Sequence, residues 1–121
     1  MTENLTSQYP SKIGIVLVDM QEKLLQGISL KNDLLKSVKI LIQSADFFGI
    51  PLLVTEQSPD KLGSTDKSLQ SIAPELSIVV KNSFSVFGSD EFKNNINSKD
   101  ISHIILAGVE TSICIYLSAL D

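Results

Sequence analysis

Four short runs rich in Val, Ile and Leu, at residues 13–18, 50–55, 78–80 and 104–107, recur along the chain with no polar alternation inside them. A strand with one wet face alternates with period two, so an unbroken apolar run belongs in a sheet covered on both faces. The segments between the runs have helical spacing. Leu34, Val38, Leu41, Ala45 and Phe48 step by four and three as one apolar stripe. Gly49 then supplies a helix stop, and Pro51 prevents continuation. Shorter helices are expected from Asp66 through Leu69 and Ile72, and from Ser89, an N-cap, across Phe92 and Ile96. Strand and helix in alternation predict a three-layer α/β/α sandwich around a parallel sheet.

The chain has 121 residues, enough for one domain and not two. Residues 12–121 read as that domain, and 1–11 as a polar N-terminal extension. The last segment, 112–121, reads as a helix with Leu117 and Leu120 inward, and nothing caps it. The fourth run is then an apolar sheet edge with nothing over it. That predicts a homo-oligomer or a chain that is short at its C-terminus, and in either case not a self-sufficient monomer.

Composition narrows the function. The net charge is −4 and no Lys/Arg run exceeds two residues, whereas nucleic-acid and anionic-membrane surfaces need a basic patch. Apolar stretches reach only about eight residues, short of the ~20 that span a bilayer. Residues 1–11 lack the apolar core of a secretory signal. A single cysteine makes no internal disulfide and suits a reducing, cytoplasmic setting. A small-molecule substrate is the expected partner.

Ligands of open α/β sheets bind at the carboxyl ends of the strands. Asp19 follows the first run, Thr55, Glu56 and Gln57 close the second, Lys81 follows the third, and Gly108 leads to Cys114 after the fourth. A carboxylate, an ammonium and a thiol thus converge on one edge. Cys114 falls near a helix start, where roughly half a positive charge favours the nucleophilic thiolate. The sole histidine, His103, precedes the fourth strand and lies ~16 Å from that edge at ~3.3 Å per residue. The proton from the thiol must therefore go to a carboxylate, and Asp19 is the one placed for it. The segment 56–65 reads as a long loop and a pocket wall.

The motifs VDMQEKLL, VTEQ, VVKNSFSVFG and GVETSIC resemble the strand-end motifs of the isochorismatase-like cysteine hydrolases. The similarity is to the small, generically named subgroup and not to the metal-binding nicotinamidases, and it covers residues 12–121. It implies a catalytic triad of Asp19, Lys81 and Cys114, acting on a small-molecule substrate, most simply at an amide C–N bond. It also implies an oxyanion hole from the backbone N–H groups of Glu110 and Cys114, with a cis peptide at Val109–Glu110. Gln21, Glu56, Phe84 and Phe87 become candidates for the substrate pocket. Nicotinamidases carry Asp-x-His after the second strand where this chain has Glu56-Gln57-Ser58, so no catalytic metal and no cofactor are expected. The rival from another class is a non-catalytic binding or scaffold protein that keeps the fold. A response-regulator receiver fits less well, because no acidic pair ends the first strand.

Overall fold

The computed structural model describes residues 12–73, 76–109 and 111–121. Its strands are β1 (Ile13–Val18), β2 (Leu52–Gln57), β3 (Ser77–Lys81) and β4 (His103–Gly108). They form one sheet in the order β3-β2-β1-β4, with every neighbouring pair parallel. Helices α1 (Glu22–Leu25) and α2 (Lys31–Phe48) follow β1, and α3 (Pro59–Leu62) and α4 (Lys67–Ile72) follow β2. A 3₁₀ turn (Val86–Gly88) and α5 (Asp90–Ser98) connect β3 to β4. A π-helical turn (Thr111–Ile115) running into α6 (Tyr116–Leu120) follows β4.

Side-chain alternation sends successive strand residues to opposite faces. Ile15, Leu17 and Val54 meet Leu35, Val38, Ile42 and Ala45 of α2 and Leu69 of α4 on one face. Val16, Val18, Leu53 and Val79 meet Val86, Phe92, Ile96 and Cys114 on the other. Helices on both faces make the three-layer α/β sandwich that the sequence predicts. Only the two interior strands are covered throughout, however. Ile78 and Val80 of β3 and Ile105 of β4 are 36%, 49% and 47% exposed, because an edge strand has one neighbour fewer.

Local signals explain the boundaries. Gly49 adopts φ 65°, the left-handed conformation a glycine takes without strain, and its N–H bonds the carbonyls of Ala45 and Asp46. Ile50 N–H then bonds Ala45 O at 2.8 Å, so this residue ends the helix and β2 starts two positions later than its apolar run. The buried face of α2 is Leu35, Val38, Ile42 and Ala45, with Leu34 and Leu41 at its margin and Phe48 70% exposed. The stripe is therefore turned one residue from the expected one. Ser89 caps α5 as expected, accepting from Phe92 N, and Asp66 caps α4, accepting from Ser68 N.

The C-terminal helix corrects the sequence reading. Leu120 is 64% exposed and Leu117 half-buried, and the fully inward residues are Cys114 and Ser118. The π-helical turn at 111–115 rotates the following helix, so apolar spacing measured from Ser112 picks the wrong face.

Gly108 pairs with Val18 where β4 turns into that helix. A Cβ at Gly108 would sit 2.6 Å from Val18 O and 3.0 Å from Ile115 Cδ1. The first contact is backbone in a central strand and cannot swing away. Gly108→Ala is expected to lower stability by ~1–3 kcal/mol, read from the urea midpoint at unchanged slope. An unchanged midpoint would mean that β4 slides freely.

Candidate active site

Register brings the carboxyl ends of the strands level. Val18 lies opposite both Thr55 and Gly108, and Gln57 lies opposite Lys81. Thr55 and Gln57 are two apart on β2, so they share a face with each other and with Val79 and Lys81 beside them. That face also carries Val16, Val18 and the buried Cys114.

Asp19 is the first residue beyond β1 and takes φ 57°. This conformation is uncommon outside glycine but tolerated by aspartate, and such outliers cluster at functional sites. It turns the chain off the strand and directs the carboxylate to the face of Lys81. Asp19 Oδ2 accepts from Lys81 Nζ at 2.9 Å, and Oδ1 accepts from Thr55 Oγ1 at 2.9 Å. Both side chains of the ion pair are 0% exposed. Lys81 Nζ also donates to Gln57 Oε1 at 2.8 Å and to the carbonyls of Ser83 and Phe84 at 2.9 Å each. An ammonium has three protons, so these four acceptors leave none idle and two must share one. The hydrogen bonds of Lys81 Nζ are thus all spent inside the protein.

Cys114 lies in the turn that leaves β4 and is 4% exposed. One helical step on, Ser118 Oγ accepts from Val86 N at 2.9 Å. This bond ties the cysteine's helix to the segment following Lys81. His103 pairs with Ile13 at the amino end of the sheet and is exposed, remote from this edge as its position implies. The carboxylate, ammonium and thiol therefore occupy one face at one edge. Glu110 and the Val109–Glu110 bond lie outside the described residues.

Of the four residues read as pocket lining, three have side-chain contacts within the protein. Gln21 is fully buried and clamps the loop after β2: Nε2 donates to Gln57 O and Gly63 O, and Oε1 accepts from Gln57 N. Glu56 has the opposite parity to Gln57, and its Oε2 accepts from Thr65 N and Oγ1 at 2.8 and 2.7 Å. Phe87 is half-buried against the second core and meets Phe92 edge-on, centroids 5.3 Å apart. Phe84 is 55% exposed and contributes its carbonyl to Lys81. The loop 56–65 is shorter than expected, since Glu56 and Gln57 remain in β2 and 59–62 forms α3. Sequence reasoning missed Thr55 and Gln57 as partners of the ion pair. Their period-two spacing was readable, but which face they share with Lys81 depends on register.

Among the described residues, no group of three or more His, Cys, Asp or Glu side chains could hold a metal ion, and no helix is long and apolar enough to cross a membrane.

A family model described as the isochorismatase domain matches residues 14–121. Isochorismatase domain-containing protein 2 of Xenopus laevis is 33% identical over 107 residues, covering 88% of this chain and 51% of that protein. Isochorismatase domain-containing protein 1 of Salmo salar is 32% identical, covering 93% of this chain and 39% of that protein. The structure described as MAR1 ribonuclease from Caenorhabditis elegans superposes with a TM-score of 0.82 at 28% identity, covering 93% of this chain and 57% of that one. The chain thus spans between 36% and 61% of the length of curated relatives it matches.

Breaking the buried pair on one side leaves an uncompensated charge in the interior. Lys81→Met or Asp19→Asn alone should cost about 3–5 kcal/mol. The double variant should lose clearly less than the sum of the two, by denaturant unfolding. Additive losses would mean that the two groups do not support each other.

Proposed function

The chain belongs to the isochorismatase family, and from that premise we propose that it is a hydrolase using Cys114 as nucleophile with Asp19 and Lys81 beside it. Isochorismatase-family members are in general hydrolases, and the hydrolase fold is present here. The observation that carries the finer reading is the Asp19–Lys81 pair, buried on the same sheet face and at the same edge as Cys114.

In this reading Asp19 accepts the thiol proton of Cys114, and Sγ attacks the carbonyl carbon of a small amide. The carbonyl π electrons move to oxygen, where backbone N–H groups of the 108–114 turn, Glu110 and Cys114, stabilise the negative charge. Collapse expels the amine, which takes the proton back from Asp19 and leaves an acyl thioester on Sγ. Water, deprotonated by Asp19, then releases the carboxylic acid and restores the thiol. Lys81 keeps Asp19 oriented and balances its charge, and it does not itself transfer a proton, since its hydrogen bonds are taken by protein acceptors. Neither metal nor cofactor enters these steps.

The reading includes a homo-oligomer in a reducing compartment. The apolar edge at β4, with Ile105 47% exposed, suits burial against a second copy, and a lone nucleophilic thiol needs protection from oxidation. The ribonuclease activity in the description of the C. elegans protein fits this chain less well. A net charge of −4 repels a polyanion, and the buried cation of the site already has acceptors on every proton.

The test is hydrolysis of a panel of small amides by the purified protein. Cys114→Ala should reduce turnover by ~10³-fold or more. Asp19→Asn should approach the same loss, and EDTA should leave the rate unchanged. Turnover surviving in Cys114→Ala would overturn the nucleophile assignment. Activity removed by EDTA and restored by zinc would overturn the metal-free mechanism. A wild-type thiol that resists iodoacetamide near neutral pH, with no amide turned over, would favour a non-catalytic binding protein on the same fold.

A further inference from the structure

Lys81 spends its protons inside the protein, whereas three lysines of α2 spend none there. Lys31, Lys36 and Lys39 line a cleft of about 460 Å³, together with Asn32 and the buried Leu35. Asp66 and Ser68, at the start of α4, form the opposite wall. Asn32, Leu35, Lys36 and Lys39 follow one another at three-, one- and three-residue steps, so one face of the helix carries them. Lys31 Nζ lies 3.9 Å from Asp66 Oδ2, a charge contact beyond hydrogen-bond reach. Lys36 and Lys39 are in no ion pair among the described residues. Asp66 is mainly occupied with its own helix, since Oδ1 accepts from Ser68 N at 2.9 Å and from Ser68 Oγ at 2.6 Å.

Folding gains nothing from this grouping. Lys36 and Lys39, three residues apart on one face, repel each other and weaken the helix. An anion between them reverses the sign of that interaction. We propose that the cleft binds a small organic phosphate, a phosphomonoester dianion, through Lys31, Lys36 and Lys39. Three ammonium groups against one carboxylate leave a local positive excess in a chain whose net charge is −4. That excess matches a phosphomonoester, which carries about −1.5 to −2 at neutral pH. The volume falls in the range of small-molecule sites, about 300–1,000 Å³, and leaves room for an organic body over Leu35. Ser68 Oγ already donates to Asp66, so it offers a ligand only lone pairs, while the Asn32 carboxamide offers both donors and an acceptor. Both suit the hydroxyls of a sugar or polyol. Leu35 belongs to one core and Cys114 to the core on the other face of the sheet, so this site is separate from the proposed active site and does not rest on the hydrolase reading.

The experiment titrates the full chain with ribose 5-phosphate at constant ionic strength, followed by ¹H–¹⁵N NMR. The backbone cross-peaks of Asn32, Lys36, Lys39 and Ser68 should move saturably. The double variant Lys36→Gln, Lys39→Gln should raise the dissociation constant about tenfold, the scale of two partly exposed ion pairs. Its urea midpoint should not fall, because the substitutions remove a repulsion. Lys36→Arg with Lys39→Arg keeps both charges and should bind within threefold of the parent. Ribose should leave the cross-peaks in place, and inorganic phosphate should bind more weakly than the ester. Unmoved cross-peaks, the same shifts from ribose or from sodium chloride, or binding by the glutamine variant within twofold of the parent would each overturn the proposal. So would a folded arginine variant that no longer binds. Inorganic phosphate binding as tightly as the ester would overturn the assignment of an organic ligand.

Discussion

Two opposite charges removed wholly from water impose strict conditions on everything around them. Asp19 and Lys81 are each inaccessible to solvent, and an ion in such a place is tolerated only with its partner at contact and its remaining hydrogen bonds satisfied. Here those conditions draw on β1, β2, the end of β3 and the turn beyond it. Thr55 supplies a proton to the carboxylate, while Gln57, Ser83 and Phe84 supply oxygens to the ammonium. Losing either partner of the ion pair would leave the other charge buried and uncompensated. The site is consequently stiff before any ligand arrives, which suits chemistry that depends on reacting atoms being held in place.

The pleat of β2 sorts its residues between two tasks. Thr55 and Gln57 project to the face of the ion pair. Glu56 projects to the other face and accepts from both the backbone and the hydroxyl of Thr65, fastening the chain where it returns past α3. Gln21 works with Glu56, tying the tip of β2 and Gly63 to the segment after Asp19. One buried polar network positions the loop and the other forms the site. They meet at Gln57, whose backbone belongs to the first and whose side chain belongs to the second. A substitution in the loop clamp can therefore reach Lys81 without touching it.

The thiol arrives from a different direction. β4 delivers the chain at Gly108, where the backbone passes too close to Val18 for a side chain, and the π-helical turn folds Cys114 into the second core. Ser118, one helical step further, fastens that helix to Val86. The cysteine is thus referenced to β1 on one side and to the segment after β3 on the other, the two places that carry its proposed partners.

Much of this was legible in the residues alone. Unbroken apolar runs separated by helical spacing imply a covered parallel sheet, because neither pattern is stable on an open surface. Asp66, Ser89 and Gly49 act as local punctuation whose chemistry needs no tertiary context. Strand-end position alone placed Asp19, Lys81 and Cys114 at one edge and His103 at the other. Tertiary structure decided the rest. Whether Gln57 or Glu56 faces Lys81 depends on inter-strand register, which no local pattern of β2 encodes. Which face of the last helix turns inward depends on a π-helical turn that spacing cannot reveal. That the half-buried Phe87 meets the ring of Phe92 of α5 is likewise set by how separate elements pack. Local propensity and periodicity act within a few residues and are written in the chain, whereas register and rotation are settled only when separate elements compete for the same buried space.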